Sequence, residues 1–432
     1  MRITFGKHSP RRFIPTQRIT NLPGSRFLSL AAICVSLAAP WTIAKTSINS
    51  DLVLVIDGQK VFPIGFTTPP PPDGQTPGGT NGIAELADAG ATFLRTGGPW
   101  SDEAIKREEK YLDVAARYGL HCLPFLREHS FVDTAAREKA LRELINRFKN
   151  HPALGAWKGD DEPAWGKKPL APLVRAYEII KETDPDHPIV LIHAPRDTTE
   201  LLRKYNVTGD IVGMDVYPIA YPPAHHSIFT NENISVVGDH TRQMVEVGEG
   251  KKPVWMVLQI SWSGVLKPGR TLRFPTFPEE RFMTYQAIIA GARGLIYFGG
   301  NNEGGMCEED KKLGWNWTFW KRVLRPVIEE IGSKSPLYPA LVAPESKLAI
   351  KGAGKGIEYC VREAGKDLFV LACKREGGMV KAEFSGLPKS ARKGDVLYEA
   401  PRFVEASQGK FTDWFAPFEV HVYRFHLQEA AL

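Results

Sequence analysis

Eight short apolar runs, VFPIGF, ATFLRT, LHCLPFL, ALGAWKG, PIVLIHA, DIVGMDVYP, PVWMVLQ and GLIYFGG, constrain what this chain can fold into more than anything else in it. They are short for helices and apolar with little alternation, the pattern of strands buried on both faces. Between them lie AIKREEKYLDVAARYG, AREKALRELINRF, PLVRAYEIIKE, DHTRQMVEV and EERFMTYQAIIAG, with apolar residues recurring at three and four; WTFWKRVLRPVIEEIG follows the last run. Buried strands each followed by a helix make a parallel sheet, and eight such units predict an α/β fold, a closed (β/α)8 TIM barrel over residues 45–337, entered through a hairpin, LVLVIDGQK. The alternative is an open doubly wound sheet. It lacks support because TTPPPPDG, rather than a Gly-rich phosphate loop, follows the first run. From residue 338 the pattern changes to KLAIKG, GIEYCVRE, DLFVLACKRE, MVKAEFSG, DVLYE and FEVHVYRFHL, which predicts a small all-β antiparallel sandwich over 338–432, with PLYPALVAP as linker.

The first 44 residues read as a signal peptide. They carry Arg2, Lys7, Arg11, Arg12, Arg18 and Arg26 with no acidic residue, then the apolar run FLSLAAICVSLAA and a small residue, Ala44. Cleavage there predicts a secreted or periplasmic protein with no integral membrane segment left. Ile33 ahead of Cys34 argues against a lipidation site. Those six cations are the whole excess of the +6 charge; the other 49 Lys and Arg balance 49 Asp and Glu, which excludes nucleic acid as a partner on composition. Four cysteines remain. A hairpin turn centred on Gly365 would place Cys360 and Cys373 on opposite faces of the sheet, so free thiols are expected. Without HExxH or a Cys cluster, no metal is expected; no cofactor motif is present, and His225 and His226 read as a solvated loop. The sequence sets no oligomeric state.

Barrel chemistry gathers at the C-terminal ends of the strands. Those positions hold Arg95, Glu128, Asp161, Glu162, His193, Asp215, Tyr217, Gln259, Trp262, Asn301, Asn302 and Glu303. Carboxyls, amides and aromatics converging on one mouth suit carbohydrate: carboxyls move the proton and face the cationic transition state, amides take hydroxyls, and rings take sugar C–H faces. Each has a plainer reading. The Asp-Glu-Pro of GDDEPAW also suits the first turn of a helix. Asp215 and Tyr217 can cap a strand, Arg95 can partner Asp161 or Glu128, and His193 can be a satisfied loop histidine.

With Asp161, Glu162 and Pro163 ending the fourth strand, Tyr217 after the sixth, Trp262 near the seventh and a trailing sandwich, the chain resembles clan A glycoside hydrolases, which carry Asn-Glu-Pro at the fourth strand. The resemblance implies that Glu162 is the general acid and that the substrate is a carbohydrate. Two departures stand: Asp161 replaces the family's Asn, and Gln259 occupies the place of its nucleophilic Glu. Gln cannot form the glycosyl ester. Three arrangements remain open: Asp215, or secondarily Glu128, as base or displaced nucleophile; Asp161 orienting an acetamido group while Glu162 protonates the leaving oxygen; or glycan binding without cleavage. The expectation is an exported glycoside hydrolase cleaving O-glycosidic bonds of an oligo- or polysaccharide, with Glu162 and Asp215 catalytic; the alternative is an inactive glycan-binding barrel. Arg95, Glu128, Asp161, His193, Tyr217, Gln259, Trp262, Asn301 and Asn302 are expected to bind substrate.

Overall fold

The computed structural model describes residues 45–219, 227–261, 269, 271 and 273–427. The leader, His225, His226 and Trp262 lie outside them. Strands β1 (Thr46–Ile48), β2 (Leu54–Ile56) and β3 (Gln59–Val61) form an antiparallel ribbon. Its turn, Asp57-Gly58, has φ of 49° and 79°, the left-handed pair a two-residue hairpin requires. Leu54 and Ile56 join Phe93, Val190, Ile211 and Trp255, residues from the first halves of barrel strands, so the ribbon closes the end opposite the mouth.

All eight predicted strands are present and parallel: β4 (Ile64–Thr67), β5 (Phe93–Arg95), β6 (His121–Cys122), β7 (Trp157–Asp161), β8 (Ile189–His193), β9 (Ile211–Asp215), β10 (Val254–Gln259) and β11 (Gly294–Phe298). Strand β6 is two residues long because Pro124 has no N–H to continue the ladder. The barrel still closes there, since Lys158 N donates to Pro124 O and Leu126 N to Lys158 O, each at 2.9 Å. Helices α1 (Gly82–Ala89), α2 (Asp102–Tyr118), α3 (Ala135–Phe148), α4 (Leu170–Thr183), α5 (Thr199–Tyr205), α6 (Val236–Val247) and α7 (Phe277–Ile289) surround it. The sequence hides α1 and α5 because eight and seven residues are too few to display helical periodicity. The last helical stretch widens into a π-turn over Trp320–Leu324, one residue short of the Pro326 that cannot continue the ladder.

The C-terminal strands number eight where the sequence suggested six. Strands β12 (Lys351–Ala353), β15 (Val380–Ser385) and β18 (Lys410–Phe415) form one antiparallel sheet. Strands β13 (Ile357–Ala364), β14 (Asp367–Lys374), β19 (Val420–His426), β16 (Lys393–Leu397) and β17 (Arg402–Glu405) form the other. One face of β14 (Leu368, Val370, Ala372) enters the sandwich core, while Phe369, Leu371 and Cys373 join the core of the barrel helices. Helix α7 is consequently buried on all sides from Glu280 onward, with Phe282 edge-on to Phe418 at 5.1 Å. The predicted linker holds a helical turn, Tyr338–Leu341, and Phe62 N donates to the Tyr338 hydroxyl at 2.9 Å.

The hairpin register differs from the expected one. Ala364 pairs with Asp367 across a Gly365-Lys366 turn, so Cys360 faces Leu371 and shares a face with Cys373. Both thiols are free, as expected, but the predicted opposition of faces is wrong: a two-residue turn shifts the partner of every residue by one.

Candidate active site

Strand β7 builds the site by breaking its own regularity. Its register with β8 jumps between Lys158 and Asp161, a bulge that turns successive acidic residues in different directions. Asp160 is buried and held by Lys168 Nζ at 2.6 and 2.8 Å, and its Oδ1 accepts from Asp161 N at 2.8 Å. Glu162 follows with φ of 48°, a conformation costing a non-glycine residue about 1–2 kcal/mol, while its N–H stays bound to Ile192 O at 2.9 Å. A turn comes next, and α4 begins only at Leu170, so Asp-Glu-Pro is not a helix start.

A cavity of about 210 Å³ opens where these strands end. Leu123, Val190, Ile192, Val257, Ile296 and Phe298 supply apolar wall, and Tyr217 stacks on Phe298 at 5.1 Å. Asp161, Glu162 and Asp215 face it together with Arg95, Lys158 and Thr67. Lys158 Nζ, buried, donates to Asp160 O and pairs with Asp161 Oδ1 at 3.0 Å. Burial works to raise the Asp161 pKa, but Lys158 and Arg95 outweigh it and hold this carboxyl below its ordinary value. Arg95 and Lys158 are themselves shifted down, chiefly by burial.

The other two carboxyls behave oppositely. Burial and then the Asp161 charge raise the Glu162 pKa, against a hydrogen bond to Asp215 and the nearby Arg196. Asp215 is raised well above its ordinary value, first by burial and then by the charges of Glu162 and Asp161. One Asp215 oxygen, Oδ1, is closed off from solvent without a partner. Both are thus shifted towards the protonated form beside an Asp161 that is shifted towards the ionised one.

The remaining candidates separate by position. Gln259 is fully buried; its Oε1 accepts from Ile219 N at 2.8 Å and its Nε2 donates to Ile219 O, so it clamps the chain after β9 and does not line the cavity. His193 is fully buried with neither ring nitrogen bonded, and burial, reinforced by Lys158, takes its pKa down to about 3, leaving it neutral. Glu128 sits exposed in the turn Arg127–Ser130 with His129 3.6 Å away, off the cavity wall. Asn301 accepts from the Thr68 hydroxyl at 2.7 Å and lines a neighbouring groove, Asn302 buries an unbonded amide nitrogen, and Glu303 is exposed in a 3-10 turn. Three participants carried no sequence signal: Lys158, inside an apolar run; Trp165, 49% exposed after the motif; and Arg196, stacked 3.9 Å over the Trp165 ring. Among the described residues no group of three or more His, Cys, Asp or Glu is placed to hold a metal ion.

No family model matches the sequence, and no curated protein matches it. Solved structures do. The chain is similar to a glycoside hydrolase at 13% identity, covering 91% of this chain and 99% of that one, with a TM-score of 0.60. It is also similar to a family 5 glycoside hydrolase from Bacteroides vulgatus (12% identity, 90% and 93% coverage, TM-score 0.61) and to an α-amylase from Anoxybacillus (11%, 85% and 98%, 0.54). At such identities the likeness is one of fold: a (β/α)8 barrel followed by an antiparallel β domain, an architecture this chain has in common with glycoside hydrolases.

Proposed function

We propose that the protein is an exported glycoside hydrolase, in which residues 45–337 cleave O-glycosidic bonds of an oligo- or polysaccharide and residues 338–432 brace the barrel. The observation that carries this reading is the convergence of Asp161, Glu162 and Asp215 on one apolar-walled pocket at the strand C-terminal ends. Glycoside cleavage needs a proton for the leaving oxygen and negative charge facing an oxocarbenium-like transition state. Glu162 gives the proton to the leaving oxygen. Asp215, raised well above its ordinary value, accepts a hydrogen bond from the protonated Glu162 before that transfer. Asp161, kept ionised by Lys158 and Arg95, faces the developing positive charge or orients an acetamido group. Trp165 and Tyr217 offer ring faces to sugar.

The spacing alters the role of Asp215. Inverting enzymes hold their carboxyls roughly 6.5–9.5 Å apart to seat a water, and carboxyls in hydrogen-bonding contact leave no such space. Asp215 thus serves as proton partner of Glu162 rather than as base for inversion. The attack on the anomeric carbon falls to the Asp161 carboxylate, or to a substrate acetamido oxygen that Asp161 orients, as the bond to the protonated leaving oxygen breaks. Water then displaces that group with its proton returning to Glu162, so the product should form with retained configuration. NMR of the first-formed anomer, on matched glycosides with and without an N-acetyl group, tests this. Inversion would overturn the assignment of Asp215, and turnover confined to N-acetylated substrates would favour the acetamido mechanism. One observation favours the non-catalytic reading: Gln259, in the place of the usual nucleophile, is locked to backbone. Glycan binding by the wild type with no cleavage of any substrate would establish that reading instead.

A further inference from the structure

Beside the Glu162 pocket lies a larger groove, about 680 Å³, and Arg95 stands in the wall of both. Its other cations are Lys106, Arg107 and Lys110 on an exposed face of α2, and Arg127 after β6. None of the five makes an ion pair within 4.0 Å among the described residues. Arginines elsewhere on the barrel do, such as Arg142 with Glu138 at 2.8 Å and Arg325 with Glu329 at 2.8 Å. Three carboxyls also line the groove, Asp73, Glu103 and Glu108. Glu108 is buried, accepts from the Thr96 hydroxyl and from Gly97 N, and is pushed up to about 7 by burial, so near neutrality it carries only part of a charge. The cations therefore prevail.

Two of them are fixed in place. Arg95 and Arg127 lie over the ring of the buried Phe125, at 4.7 and 5.0 Å from its centroid. Arg127 takes a left-handed φ of 52°, and its Nε is shielded from solvent with no hydrogen-bond partner. A cation held in a strained conformation and stacked beside the pocket, with no ion pair among the described residues, leaves its terminal guanidinium nitrogens for an oxyanion. The overall charge balance of residues 45–432 conceals this local excess.

We propose that the groove binds the anionic part of an acidic glycan, a uronate or a sulfated sugar, adjoining the glycosidic bond that lies in the Glu162 pocket. The placement of that bond rests on the glycosidase reading; the anion site does not. Binding is measured by titration calorimetry at low and high salt, with polygalacturonate against its carboxyl-reduced form and carrageenan against its desulfated form, using wild type, Arg127→Gln and the Lys106→Gln/Lys110→Gln double variant. At least one anionic member should bind more tightly than its neutral counterpart, and weaken as salt rises. Which pair shows the difference separates carboxylate from sulfate. Each variant should lose roughly tenfold on the anionic member alone, the scale of one charge-assisted hydrogen bond. The double variant alters only exposed side chains, so it reports even where Arg127→Gln fails to fold. Equal binding within both pairs, no binding to any anionic member, or unchanged affinity in the double variant would overturn the proposal. Cleavage of neutral glycosides with no anionic preference would remove the anion site and leave the hydrolase reading; salt-sensitive anionic binding that the variants weaken, without cleavage, would do the reverse.

Discussion

The barrel mouth and the seam between barrel and sandwich are both rich in buried charge, and they treat it in opposite ways. At the seam three carboxylates meet cations: Glu330 with Arg281 at 2.8 Å, Asp239 with Arg375 at 2.7 Å, Glu358 with Arg242 at 2.9 Å. The Asp239 pKa falls to about 2, because hydrogen bonds from Arg375 and Asn231 overcome the effect of burial. At the mouth carboxyl meets carboxyl, and Glu162 and Asp215 are both raised. Pairing at the seam fixes one docking geometry. Crowding of carboxyls at the mouth shifts Glu162 and Asp215 towards their protonated forms, which a structural pair has no use for.

The largest effect expected is at the mouth. Glu162→Gln should lower turnover of substrates with poor leaving groups by roughly a hundred- to ten-thousand-fold while sparing activated aryl glycosides and leaving the melting temperature nearly unchanged. Comparable loss on both substrate types would show that Glu162 is not the proton donor. At the seam, Arg281→Met strands Glu330 in a site where the pair is 10% and 8% exposed, and should cost about 3–5 kcal/mol by denaturant titration with the activity of folded molecules intact. A loss below about 1 kcal/mol would mean that the pair is as dispensable as a surface one.

The third prediction concerns acid. Asp239 is an acid whose folded pKa is depressed, so its stabilisation is complete above the unfolded value near 4 and is lost as pH falls towards about 2. A shift of that size corresponds to about 2 kcal/mol, and Asp239→Asn should lose it at neutral pH and flatten the pH dependence across that window. The mouth should show the reverse sign and the smallest change in stability. Asp215 is raised in the folded state, so its ionisation opposes folding as pH rises above the unfolded value. Asp215→Asn should therefore stabilise the protein at neutral pH, on the scale of about 0.5–2 kcal/mol for single stabilising substitutions, while depleting activity. A destabilised Asp215→Asn with full activity would erase the contrast between the two regions.

Local sequence determined the barrel because hydrophobic runs report burial, and burial on both faces of eight strands leaves few other folds. It also determined which ends of which strands would meet, and so brought Asp161, Glu162, Asp215, Tyr217 and Arg95 to one mouth. What it left open depends on register, bulges and pairs distant in the chain. Whether Lys158 faces the cavity or the helices depends on a bulge that no residue type announces. Gln259 became a backbone clamp through Ile219, 40 residues away, and His193 became a neutral core residue. Cys360 and Cys373 share a face because a two-residue turn, rather than one centred on Gly365, sets the pairing. The upward shift of Glu162 and Asp215 was likewise a matter for the tertiary structure, since a carboxyl's pKa depends on what lies within a few ångströms of it and hardly at all on its neighbours in the chain.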